Sequence, residues 1–201
     1  MNITPALLAD RFDARQCALL EAAAGVFARF GFRKASMDDI ARAASVSRQG
    51  LYLSFSNKEE LFRRTLEYAL KQQLSAATAA LSRSGATLES RLIAACEEWS
   101  GRYVGLLGAD TADLMCASTS LAGTTLEQYE AQFEAALARA IMASPLAGVC
   151  GAAHVLPAQL ARALHATARG LKHGCKTRSE FVSGMLAAVR MLCLPLNQAD
   201  A

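Results

Sequence analysis

No two cysteines in this 201-residue chain stand at CxxC or CxxH spacing. Cys17, Cys96, Cys116, Cys150, Cys175 and Cys193 are scattered, which argues against a zinc site with paired ligands and against the dense disulfide framework of a short secreted domain. They read as small buried hydrophobes in a reducing compartment. Cys175 beside Lys176 and Cys17 near Arg15 are the two where a neighbouring cation would favour a redox-sensing thiolate. The opening MNITPALLADRF has neither a basic start nor a long apolar run, so no secretory signal is expected. Pro145, Gly148, Gly151, His154 and Pro157 interrupt the longest run without Lys, Arg, Asp or Glu, Ala140 to Ala161, which is therefore not expected to cross a bilayer. A cytoplasmic protein with no membrane association is expected.

Catalytic patterns are equally scarce. There is no nucleophile–base arrangement and no phosphate-cradling glycine loop. His154, His165, His173 and the Glu97-Glu98 pair are the groups available for acid–base or metal chemistry. His165 and His173 lie eight apart with no carboxylate at ligand spacing. Glu97 and Glu98 would point about 100° apart around a helix. No enzymatic activity, metal or cofactor is expected.

What is abundant favours helices. Hydrophobic residues make up 53% of the chain, alanine leads, and β-branched runs are few. The fold class expected is all-α. The net charge of +3 is unevenly placed: residues 1–81 carry 11 Lys and Arg against 8 Asp and Glu, whereas residues 82–201 carry 10 of each. The basic excess thus lies in the first part, where a DNA-facing element would need it.

That part contains ASMDDIARAASVSRQGLYLSFSNK, Ala35 to Lys58. Ser36 with Asp39 three positions on forms a capping box, and Ile40, Ala41 and Ala44 follow at helical spacing. Ala44-Ser45-Val46 breaks the period, and Ser47 can cap a second helix whose Leu51 and Phe55 turn inward beside Val46. Arg48, Gln49, Tyr52 and Leu53 are left on the opposite face. Arg can bond guanine bidentately, Gln adenine, and Tyr can reach a phosphate. This is a helix-turn-helix reading.

Gly31-Phe32, Ser36, Asp39-Ile40-Ala41, Val46-Ser47, Leu51-Tyr52, Phe55 and Asn57-Lys58-Glu59-Glu60-Leu61, in this order and spacing, resemble the DNA-binding domain of the TetR family of bacterial transcriptional regulators. The resemblance covers roughly Arg15 to Leu66. It departs at Ser45, where the family has a turn glycine, so the turn must accept a non-glycine residue with positive φ or change geometry. It departs again at Leu53-Ser54, where an aromatic or His is common before the Phe. The resemblance implies DNA contacts from Arg33, Lys34, Ser36, Ser47, Arg48, Gln49, Gly50, Tyr52, Leu53 and Lys58. It also implies a three-helix DNA-binding domain over 1–56, a long connecting helix over 57–82, and a larger helical effector-binding and dimerisation domain over 83–201.

Along the chain, residues 1–12 read as a frayed arm, with Arg11 and Arg15 available to a minor groove. A helix from about Asp13 to Phe30 should end at a left-handed Gly31, placing Arg33 and Lys34 in a loop. Asn57 with Glu60 should start a helix of about 25 residues, roughly 37 Å long, ending near Ser82. After a hinge at Ser82–Gly85, helices are expected from Thr87 to about Gly108, Asp110 to about Ala117, Thr125 to about Ser144, Pro157 to His173-Gly174, and Thr177 to about Leu194, where Pro195 should stop the last helix. Residues 145–156 are expected to be a loop.

Small residues four apart, Ala166 and Gly170 on one helix and Gly184 and Ala188 on the next, would let axes approach closely beside Phe181, Met185, Val189 and Leu192. In the family resembled, the last two helices pair with their two-fold copies, and these residues suit such a homodimer interface; packing within one chain is the alternative. Trp99, Tyr103, Met115, Tyr129, Phe133, His165 and Arg169 are candidates for an effector pocket. The expected function is a ligand-responsive repressor, released from a palindromic double-stranded operator by a small molecule. The alternative is a constitutive or architectural DNA-binding dimer without an effector. An enclosed cavity in the second domain would favour the first and a filled core the second.

Overall fold

In a computed structural model of the protein, residues 13–105 and 111–197 are described, and among them every regular element is a helix. The order is α1 Ala14–Lys34, α2 Met37–Ala43, α3 Arg48–Ser54, α4 Lys58–Leu81, α5 Leu88–Trp99, a single 3-10 turn Gly101–Tyr103, α6 Thr111–Met142, α7 Leu146–Ala152, α8 Pro157–Gly174 and α9 Arg178–Asn197. The all-α expectation holds. The N-terminal arm with Arg11, and residues 106–110 at the junction of two expected helices, lie outside the described residues.

The chain forms two compact units. The first comprises α1 to α3, α4 as far as Leu70, and α6 as far as Leu126. The second comprises α4 from Lys71, α5, the rest of α6, and α7 to α9. Both α4 and α6 are thus shared between the units, where the sequence suggested one connecting helix over 57–82.

In the first unit, Leu19, Leu20, Ala23 and Phe27 of α1 meet Met37, Ile40 and Ala41 of α2, Leu51 of α3, Phe55, and Leu61 and Phe62 of α4. Phe62 sits edge-on to both Phe27 and Phe32, at 5.0 Å each. Burying a side chain of this size contributes about 1.5–3 kcal/mol, which seven-residue helices such as α2 and α3 need, because they are too short to hold themselves in water.

Gly31 marks the break in α1, though not as a left-handed cap. Its φ of 75° and ψ of 174° put it in a region open essentially to glycine alone. The chain then winds one further turn to Lys34, so Arg33 and Lys34 lie in a last turn rather than a free loop.

Four further boundaries differ from expectation. The helix from Thr87 ends at Trp99. The two helices expected between Asp110 and Ser144 are one, kinked at Ala122 (φ −145°, ψ 25°), with Thr125 inside it rather than capping a new start. Residues 146–152 wind into α7, and His154 takes the positive φ that closes the connection. α9 runs on through Pro195 to Asn197, since proline's fixed φ is itself helical.

In the second unit, Phe181, Met185 and Val189 of α9 are fully buried, and α9 packs against both α5 and α8. Gly184 permits the second of these contacts: a Cβ there would stand 2.7 Å from Leu171 Cδ2. Among the described residues no single helix is long and apolar enough to cross a membrane.

Gly31→Ala tests the break in α1. It should lower the stability of the first unit by about 2 kcal/mol, because alanine cannot take that conformation without strain, and urea titration followed by circular dichroism would measure it.

Candidate nucleic-acid interface

The exposed face of α3 is set by the caps and core beneath it. Ser36 caps α2, its hydroxyl accepting the Asp39 N–H at 3.1 Å while the Asp39 carboxylate accepts the Ser36 N–H. Ser45 follows with φ 54°, so the turn accepts a non-glycine residue in the left-handed region, at roughly 1–2 kcal/mol for an L-residue. Ser47 caps α3 by accepting the Gly50 N–H at 3.0 Å. Leu51 is fully buried, Phe55 nearly so, and Val46 packs alongside. Arg48, Gln49, Tyr52 and Leu53 therefore all face outward. Leu53 is 83% exposed and Tyr52 43%. Ser36, Ser47 and Gly50 shape this face through their caps.

An open cleft of about 450 Å³ gathers Arg33, Lys34, Arg48, Tyr52, Asn57 and Lys58 along one side of the helix-turn-helix. Its cations already have protein partners. The Lys58 ammonium donates to the carbonyls of Ala35 at 3.0 Å and Arg33 at 3.2 Å, and lies 4.7 Å from the centre of the Phe32 ring. It satisfies carbonyls at the end of α1, as cations at a helix C-terminus do. Arg33 gives its backbone N–H and its Nε to the Asp113 carboxylate at 2.8 and 2.7 Å. Arg48 Nη1 donates to Asp38 Oδ2 at 3.0 Å, with its guanidinium carbon 5.7 Å from the Tyr52 ring centre. Asp38 and Asp113 were not anticipated. Their partners lie 10 and 80 positions away, and local periodicity carries no signal at such separations.

The α4 cap also differs in detail. Asn57 Oδ1 accepts the Glu60 N–H at 2.7 Å, but the Glu60 carboxylate reaches past Asn57 to the N–H and hydroxyl of Ser56. Thr177 and Glu180 repeat the pattern at α9, where Glu180 takes the Lys176 N–H at 2.8 Å.

The residues suggested for an effector pocket are only partly brought together. Trp99 stacks on Phe133 at 4.8 Å and donates from Nε1 to His165 Nε2 at 3.1 Å. His165 Nδ1 faces Glu134 Oε1 at 2.9 Å, which suits a neutral ring with its proton on Nδ1. These three side chains are buried and fill the space between them. Tyr129 is half-buried, and exposed Arg169 lies 3.9 Å from Glu130. Met115 belongs to the first unit, is exposed, and is not part of this cluster; Tyr103 places its backbone in the 3-10 turn, its side chain lying outside the described ones. An open cleft of about 510 Å³ in the second unit is lined instead by Arg83, Glu97, Glu98, Arg102 and the alanines of α4 and α5.

The suggested dimer residues also separate. Phe181, Met185 and Val189 are buried within their own chain, and Gly184 serves the contact with Leu171, so these four are intrachain packing residues. Ala188 and Leu192 are half-buried. Ala166 and Gly170 are exposed, with open space where a Gly170 Cβ would stand. Met191, which the spacing did not single out, is 69% exposed on α9. Of the cysteines, Cys96 and Cys150 are buried, Cys17 and Cys175 half-buried and Cys116 exposed, so burial is not general. Burial pushes the Cys96 thiol up to about 12.

Three carboxylates of the first unit sit below their usual range. The Ser36 hydroxyl holds Asp39 down, the Ser56 hydroxyl Glu60, and the Arg33 backbone N–H followed by its side chain Asp113. Their stabilisation is complete above the ordinary values of 3.8 for Asp and 4.5 for Glu and is lost as pH falls through the lower folded-state values. Acid titration of helical content should therefore show a first-unit transition that Asp39→Asn or Asp113→Asn makes less steep.

Residues 19–65 match the family described as bacterial regulatory proteins of the tetR family. An uncharacterised helix-turn-helix transcriptional regulator of Bacillus subtilis, YfiR, is 42% identical over 72 residues, 36% of this chain and 35% of that protein. The chain thus spans about a third of the length of the curated relatives it matches. Likeness of fold extends further. The reduced form of E. coli NemR superimposes with a TM-score of 0.68 at 20% identity, over 89% of this chain and 96% of that one. The Bacillus subtilis regulator FadR, in complex with stearoyl-CoA, gives 0.60 at 15% over 87% and 96%. These relatives and fold-mates are regulators, not enzymes. Over residues 19–65, the helix-turn-helix part of the chain, the similarity is thus to the N-terminal domain of the tetR family of bacterial regulatory proteins.

Proposed function

We propose that the chain is a dimeric transcriptional repressor that lays α3 in the major groove of each half of a palindromic operator and leaves it when a small molecule binds the second unit. The observation that supports this most is the outward face of α3, Arg48, Gln49, Tyr52 and Leu53, held by the buried Leu51 and Phe55. Arg48 and Gln49 are suited to guanine and adenine edges, Leu53 to a thymine methyl, and Tyr52 to phosphate. Lys34, Arg33 and Lys58 contribute positive charge beside this face, with Ser36, Ser47 and Gly50 at the helix starts below it.

Two recognition helices must lie about one DNA turn apart, roughly 34–36 Å, to read such a site. A second copy would supply the other, across the exposed small-residue face of α8 and the outward side of α9 around Met191. An effector acts by favouring a conformation with the wrong spacing, and its leverage is its difference in affinity for the two states. The helices α4 and α6, each shared between the units, are the elements through which the change would pass. FadR bound to stearoyl-CoA illustrates that a protein of this fold holds a ligand. A DNA-binding dimer without an effector is the second reading, favoured by the direct stacking of Trp99 on Phe133 in the interior of the second unit.

Footprinting on the DNA upstream of the chain's own gene, repeated across a panel of small molecules, separates these readings. Release by any compound supports the sensor, protection indifferent to all of them supports the constitutive dimer, and no protection at low salt overturns both. Arg48→Ala and Gln49→Ala should each relax preference at particular base pairs by ~1–3 kcal/mol, while Tyr52→Ala weakens binding to all sequences alike. Ala166→Glu should turn a dimer into a monomer in sedimentation and lower operator affinity roughly 100-fold, by removing the paired engagement of two half-sites.

A further inference from the structure

The DNA-reading reading leaves open how a long, flexible arginine on an exposed helix comes to discriminate one base. Arg48 is fixed at two points. Its Nη1 donates to Asp38 Oδ2 at 3.0 Å, and its guanidinium lies over the Tyr52 ring at 5.7 Å. Asp38 stands in the first turn of α2, a helix anchored by the buried Met37, Ile40 and Ala41. The carboxylate therefore projects from an anchored element that precedes the turn, while Tyr52 is one helical turn along from Arg48 on α3 itself.

We propose that Asp38 is the positioning residue for base readout: it holds Arg48 so that the opposite guanidinium edge faces a guanine. The proposal rests on the DNA-binding reading above. A guanidinium has five N–H donors in a planar fork. With Nη1 engaged by Asp38, Nε and Nη2 remain as two parallel donors, the pair that guanine O6 and N7 accept. The tyrosine ring restricts the plane of the fork and the carboxylate restricts its rotation, so the side chain is ordered before DNA arrives. Both partners of the ion pair are substantially exposed, at 65% and 49%, where such pairs add little to stability. Its effect falls on orientation, and a carboxylate beside the phosphates also weakens binding to DNA of any sequence.

Selection from randomised duplexes with the full-length protein, followed by affinity measurements on the selected duplex, on its base-substituted variants and on an unrelated duplex, tests this. The wild type should select a guanine in each half-site, and Arg48→Ala should lose that preference. Asp38→Asn should retain its helical content and bind the unrelated duplex as tightly as the wild type or more so. Its preference for the guanine should fall roughly fivefold or more. In the Arg48→Ala background, Asp38→Asn should change the preference no further. An Asp38→Asn protein with full guanine preference overturns the proposal, and tighter binding to every duplex with preference intact identifies Asp38 as a competitor for Arg48 instead. A guanine preference that survives Arg48→Ala also overturns it, while leaving the DNA-binding reading intact. A wild type that selects no duplex sinks that reading and the proposal with it.

Discussion

The burial of Leu51 and Phe55 under α3 is the contact on which the candidate interface depends. A helix of seven residues has too few internal hydrogen bonds to persist in water. It exists here because Leu51 has no exposed surface and Phe55 almost none, each contributing about 1.5–3 kcal/mol. The same two anchors fix the rotation of the helix. Had they fallen one position along, the face carrying Arg48, Gln49, Tyr52 and Leu53 would turn by about 100°, and these four residues would meet the core.

Around that helix, the cations expected to seek phosphate are first tied to protein. Lys58 closes the end of α1, Arg33 is clamped by Asp113 from the start of α6, and Arg48 is held by Asp38. For Arg48 and Lys58 the tie engages only part of the donor set, because an ammonium has three N–H groups and a guanidinium five. The result is a cationic face whose side chains have already given up much of their rotameric freedom. Such ordering lowers the entropy lost on binding. Three carboxylates of this unit are held below their usual range, Asp39 and Glu60 first by the hydroxyls of Ser36 and Ser56 at helix starts, and Asp113 by Arg33.

In the second unit the organising contact is polar. Trp99, His165 and Glu134 form a chain of hydrogen bonds at 3.1 and 2.9 Å, with Phe133 stacked on the indole. A buried indole N–H and imidazole would be costly if unpaired, and here each satisfies the other. The effector proposed for this unit would have either to displace that packed group or to use the open cleft lined by Arg83, Glu97, Glu98 and Arg102. The two routes favour different ligands, an aromatic or apolar molecule for the first and a polar one for the second.

Local chemistry was legible in the sequence: the caps at Ser36, Ser47, Asn57 and Thr177, the break at Gly31 and the outward face of α3 all follow from residues within four positions of one another, whereas at Ser45 the resemblance left two turn geometries open and the structure takes the positive φ. Such features depend on backbone groups and helical periodicity, which a short window contains. Where several helices compete for the same apolar residue, the sequence was silent, because periodicity shows that Phe181, Met185 and Val189 share a face but not which neighbour covers it. Packing decided that they belong to their own chain, that Gly184 admits Leu171, and that residues 111–142 form one kinked helix instead of two. It also chose the carboxylates for Arg33 and Arg48, since an ion pair between distant positions forms only once the chain has brought them within about 3 Å of each other.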